Sequence, residues 1–93
     1  MAWTETKSNI SQVYNSVLEF LKKDYRSELV GNKILFFDKD GNQFMPCLLG
    51  TESPFNCFVI EHLKTGEDGD EFYSEDYNSL EELYQAVVNE IEE

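Results

Sequence analysis

From Gly66 to Glu93 the chain contains no lysine, arginine or histidine, and the same stretch carries eleven carboxylates. Most of the formal net charge of −12 therefore comes from one third of the protein. Binding a phosphate backbone or an anionic lipid surface requires cationic groups that displace counterions or meet head groups, so neither is expected as a direct ligand. A basic protein surface, in some cases that of a nucleic-acid-binding protein, remains compatible with the charge.

Other absences narrow the class further. No run approaches the ~20 apolar residues of a membrane span, and Met1-Ala-Trp-Thr-Glu lacks the basic and apolar regions of a secretory leader, so the cytosol is the expected compartment. Two cysteines, Cys47 and Cys57, are too few for a disulfide framework and read as packing thiols. The single histidine, His62, leaves any zinc site short of ligands. It also falls on the opposite strand face from Cys57, five residues earlier, so a Cys–His nucleophile pair is not expected. No phosphate loop, nucleophile elbow or paired helix-borne carboxylates occur. Catalysis, a metal and a cofactor are therefore not expected.

What is present specifies a folded domain. At 93 residues, with 41% hydrophobic residues and thirteen aromatics among them, the chain has material for one core over residues 1–93, with 1–8 read as a loosely packed tail. Ile10, Val13, Tyr14, Val17, Leu18 and Leu21 recur at helical spacing, predicting a helix over 9–24. Ser8, Asn9 or Ser11 can cap its start, and Lys22 and Lys23 lie in its last turn. Leu80, Leu83, Tyr84, Val87, Val88 and Ile91 form a second stripe, and Ser79 with Glu82 stands at capping-box spacing, predicting a helix over 79–91.

Between the helices the pattern becomes that of strands. Residues 33–37 and 43–49 flank Asp38-Lys-Asp-Gly-Asn, a strong hairpin signal. The same five residues resemble the opening of a calcium loop, but Gln43 and Leu49 occupy positions that need Gly and a bidentate Glu. A short strand at 28–30, turning through Gly31-Asn32, is an optional first strand before them. Pro46 points to an edge, a bulge or a strand end. Phe55 to Leu63 reads as a central strand after a turn over 50–54, Lys64 to Asp70 as a turn, and 71–74 as an optional further strand. The expected fold is α+β, α-β-β-β-(β)-α, a two-layer arrangement with an antiparallel meander sheet and both helices on one face. In element order this resembles a double-stranded RNA-binding domain, although the basic helix start and basic loop of that family have no counterpart here.

The acids of the last third divide by local cause. Glu81 and Glu82 sit at a helix start, where the dipole favours them. Glu67, Asp68, Asp70, Glu71, Glu75 and Asp76, together with Glu90, Glu92 and Glu93 at the unfavourable end of the helix, have no such reason. With Tyr73 as an aromatic anchor, they are the candidate partner-binding residues. Three readings follow: a non-enzymatic module that binds a basic protein through an anionic surface, a nucleic-acid-mimicking inhibitor comparable in size and charge to phage anti-nuclease or anti-CRISPR proteins, and a domain whose charge only solvates it. In every case the crowded carboxylates repel one another, so the thermal midpoint at neutral pH is expected to rise between low and moderate salt. Thermal unfolding monitored by circular dichroism across a salt series measures this directly.

Overall fold

Both helical stripes and one face of every central strand meet in a single apolar layer, which sets the architecture. The computed structural model describes residues 3–50 and 57–92, and only the backbone of Gly50, Glu67 and Asp68. Its elements are α1 (Trp3–Thr6), α2 (Ile10–Asp24), β1 (Arg26–Val30), β2 (Lys33–Phe37), β3 (Gln43–Gly50), β4 (Cys57–His62), β5 (Glu67–Tyr73), a 3₁₀ turn (Ser74–Asp76) and α3 (Leu80–Ile91). The strands form a five-stranded antiparallel meander in the order β1-β2-β3-β4-β5, flanked by the helices as an α+β domain. The additional strand and the N-terminal helical turn separate this order from that of a double-stranded RNA-binding domain.

The helix ends follow the local chemistry. The Asn9 side chain accepts from the Gln12 N–H at 3.2 Å and starts α2, and the Ser79 hydroxyl accepts from the Glu82 N–H at 3.1 Å and starts α3. Ile10, Val13, Val17 and Leu21 of α2 are buried together with Leu83, Val87 and Ile91 of α3. Phe36, Phe44, Phe58, Ile60 and Phe72 meet them from the sheet. Phe36 stacks on Phe44 with ring centroids 5.6 Å apart, and Phe58 stacks on Phe72 at 5.4 Å. Tyr25 stands edge-on to Phe44 and Tyr14 edge-on to Phe58, so each stacked pair holds one part of the α2 segment.

Three segments differ from expectation. Residues 3–8, expected as a loose tail, dock instead: Trp3 Nε1 donates to the Tyr77 carbonyl at 2.8 Å, Ser74 Oγ donates to the Lys7 carbonyl at 2.5 Å, and Thr6 is buried. The short strand before Gly31-Asn32 is longer than 28–30. Val30 pairs with Lys33 across the turn, and Gly31 has φ +65, the conformation that type II′ turns require at their first central position. Residues 67–70, expected as turn, belong to β5. The turn falls earlier, where the Gly66 N–H donates to the His62 carbonyl at 2.9 Å and Gly66 takes φ +70, and His62 then pairs with Glu67. An outermost strand needs only one hydrogen-bonded neighbour and tolerates charge, so acids that resemble turn composition fit there. Ser74 leaves the strand for the 3₁₀ turn. The expected turn over 50–54 and the start of the third strand at 55–56 lie outside the described residues, apart from Gly50, which ends β3.

Pro46 sits within β3, opposite Ile60 of β4, but on its other side the ladder to β2 has stopped. β2 and β3 are paired only at Phe36–Phe44 and Phe37–Gln43. Proline supplies no N–H to continue that ladder, and the Pro46 carbonyl instead accepts from the Tyr14 hydroxyl at 2.7 Å. The strands splay beyond this point around a cleft of ≈ 420 Å³ whose lining includes Tyr14, Ile34, Met45 and Leu48. Truncating the buried ring that links β2, β3 and Tyr25, by Phe44→Ala, is expected to cost about 3–5 kcal/mol in denaturant unfolding, because the cavity lies between sheet and helix where it cannot collapse.

Candidate functional site

The acids of the last third are distributed over both faces of β5 and both ends of α3. Asp70 lies on the helix-facing side of β5, two residues from buried Phe72. Asp76 ends the 3₁₀ turn, and Glu82 lies in the first turn of α3. These three carboxylates all act on half-buried Tyr77, whose hydroxyl pKa is raised first by burial and then by the charges of Asp76, Asp70 and Glu82. Tyr77 is itself held by the indole of Trp3. Tyr77 is thus a half-buried aromatic residue within electrostatic reach of three exposed acids, and its carbonyl is held by a docked tryptophan.

The remaining candidates occupy other places. Glu71 and Tyr73 lie on the helix-free face of β5 and are joined by a hydrogen bond from the Tyr73 hydroxyl, whose pKa is pushed up to about 12, first by that bond. Glu75 stands 3.7 Å from Lys7 Nζ. Glu67 and Asp68 belong to β5 by backbone, but their side chains, and all of Glu93, lie outside the described residues.

Glu90 and Glu92 are largely covered, with side chains only 17% and 20% exposed, and they tie the end of α3 to β4, the end of α2 and the 38–42 turn. Glu92 Oε1 accepts from the Tyr25 hydroxyl at 2.7 Å, and its Oε2 lies 3.1 Å from Lys39 Nζ. Glu90 Oε1 lies 3.7 Å from His62 Nε2, an ion pair only when the imidazole is protonated. The same carboxylate rests over Gly69: a Cβ there would come within 2.6 Å of Glu90 Oε1 and 2.8 Å of the Ile60 carbonyl. Gly69 thus lets the helix end approach β5, at the place where the β4–β5 register shifts. These two acids, which the dipole alone makes unfavourable, have specific partners within the fold.

The nucleophile candidates stay apart. Cys57 lies on the helix-free face, and His62 lies on the helix-facing side opposite Phe44. Cys47 is opposite Val59 rather than Cys57, its Sγ lies 3.5 Å from Glu61 Oε2, and neither cysteine is in a disulfide. The Asp38 carboxylate of the calcium-like hairpin accepts from the N–H groups of Asp40 and Asn42 at 2.9 and 2.8 Å, an Asx turn that closes the loop. Among the described residues no group of three or more His, Cys, Asp or Glu is placed to hold a metal ion, and no helix is long and apolar enough to cross a membrane.

In the sequence Glu82 is accounted for by capping and the helix dipole, and nothing local links it to Tyr77. Their convergence with Asp70 depends on the chain reversing through the 3₁₀ turn, which sequence spacing does not report. The signal that was available is the position of Tyr77 directly after Glu75-Asp76 and two residues before the capping serine.

All five tyrosines have hydroxyl pKa values above the ordinary 10, with burial the leading cause at Tyr14, Tyr25, Tyr77 and Tyr84 and the Glu71 bond at Tyr73. The unfolded chain releases these protons near pH ~10 while the folded chain retains them, so the associated stability is complete below that pH and is lost as pH rises above it. Absorbance titration near 295 nm is expected to show little tyrosinate until beyond pH ~10. Tyr25→Phe and Tyr84→Phe, which remove hydroxyls bonded to Glu92 and Asp24, are expected to flatten the alkaline fall in unfolding free energy.

Comparison with protein-family models, curated proteins and solved structures gave no match.

Proposed function

We propose that the protein is a non-enzymatic binding module that engages a basic protein through the acidic surface around Tyr77. The observation that carries this reading is the convergence of Asp70, Asp76 and Glu82 on one half-buried tyrosine, in a stretch whose sequence supplies no cation. Exposed acids around an aromatic residue combine long-range steering of a basic partner with a contact that can be desolvated on binding. Glu75 extends the same surface through the 3₁₀ turn, and Glu71 with Tyr73 extends it around the edge of β5.

Inhibition by imitation of a phosphate row is the second reading. Duplex DNA presents one charge per roughly 1.7 Å along its axis, and a mimic needs its acids ordered in a row to match. The described acids turn from the helix-facing side of β5 to the helix-free side, and Glu90 and Glu92 are occupied within the fold. That distribution favours a compact patch over a row.

Immobilised protein is expected to retain basic proteins from a cell extract, with retention falling as salt rises. The triple variant Asp70→Asn, Asp76→Asn, Glu82→Gln is expected to weaken retention by about tenfold or more, chiefly through slower association. Equal retention by the triple variant would remove the proposal. Displacement of the captured protein by duplex DNA would favour the mimic over the general module.

A further inference from the structure

The two edges of the sheet are built differently. β5 carries acids, Gly69 and a register shift, which are devices that discourage another strand from pairing. β1 has no proline, glycine or bulge, and it pairs with β2 in unbroken register from Arg26–Phe37 to Val30–Lys33. It is also poorly covered: Leu29 is 75% exposed and Val30 56%, although both are large apolar residues. Because Val30 and Lys33 close a two-residue turn as a hydrogen-bonded pair, the alternation of the ladder directs the N–H and C=O groups of Ser27 and Leu29 away from β2.

We propose that this edge pairs with the same edge of a second copy, β1 antiparallel to β1, about a two-fold axis through Ser27. The side chains of β1 are complementary to themselves in that register and poorly matched in its neighbours. Centred on Ser27, Arg26 stands opposite Glu28 of the second copy, and the symmetry repeats the pairing. On the helix-facing side the same register sets Leu29 opposite Tyr25 of the second copy, covering the most exposed apolar side chain among the described residues. Centring on Arg26 or Glu28 would oppose like charges directly, which is destabilising. Centring on Leu29 would run the ladder into the Gly31-Asn32 turn. Within one chain Arg26 and Glu28 lie 3.6 Å apart and Arg26 covers the Phe37 ring at 4.0 Å, so both charges already sit on the helix-free side where the second copy would meet them.

The assembly is isologous, so it closes at two copies and leaves both β5 edges free at its outer ends. It does not depend on the acidic surface around Tyr77, which lies at the opposite edge of the sheet.

Sedimentation velocity of the full chain tests the proposal at about 0.15 M salt, where charges more than about 8 Å apart are screened. The mass is expected to rise with concentration from the monomer value of 10.8 kDa to twice that value. Arg26→Glu and Glu28→Arg are each expected to weaken the dimer by about tenfold or more, and the double variant R26E/E28R to restore it. Ser27→Pro removes an outward N–H at an edge position that accepts proline, and is expected to yield a monomer that remains folded by circular dichroism. A monomer at every concentration, a dimer indifferent to the charge variants, or a double variant that stays monomeric would each overturn the proposal. If Ser27→Pro does not fold, the charge exchange decides the outcome.

Discussion

The structure depends on two stacked phenylalanine pairs laid across four strands. Phe36–Phe44 joins β2 to β3 and Phe58–Phe72 joins β4 to β5, and each receives the edge of a tyrosine from the α2 segment. Edge-on contact satisfies the charge distribution of both rings, and each ring buries a large apolar area. The apolar layer that results is where both helices seat their stripes. The position of α3 follows from it, because Leu83, Val87 and Ile91 can be buried only where the sheet presents that layer. The surface around Tyr77 follows in turn, because the start of α3 sets where Glu82 stands relative to β5.

A chain with this much negative charge must still bring its last helix onto the sheet. It does so by giving carboxylates specific duties. Glu92 occupies both of its oxygens, one with a phenol and one with an ammonium, and Glu90 lies in the notch left by Gly69 beside His62. The acidic third supplies no cation of its own, and Lys7 and Lys39, which pair with Glu75 and Glu92, both come from earlier in the chain. The carboxylates left without such partners face solvent around Tyr77 and along β5.

Helices α2 and α3 were legible in the sequence because their evidence is local, apolar residues at helical spacing and a capping side chain at the start, whereas α1 carries no such stripe. The Asp38–Asn42 hairpin was legible for the same reason. β5 was misread where it begins, since Glu67-Asp-Gly-Asp has the composition of a turn, and only the position of the strand at the sheet edge makes that composition acceptable. The roles of Glu90 and Glu92 were not visible at all. Tyr25 and Glu92 are 67 residues apart, and no local pattern records a contact across that distance. The convergence of Asp70, Asp76 and Glu82 was hidden similarly, because it exists only once the 3₁₀ turn has reversed the chain.

Pro46 has a consequence for how the sheet is joined. With β2 and β3 joined at only two residue pairs, the sheet consists of a β1–β2 ribbon and a β3–β4–β5 block that meet along a crease. The hydrogen bonds crossing the crease are few, and the Tyr14 hydroxyl occupies the carbonyl that would have extended them. The two parts are therefore held together mainly by side chains, above all the buried Phe36–Phe44 stack, and little by ladder hydrogen bonds. A missing amide proton thus moves the joint between two parts of one sheet from the backbone to the side chains.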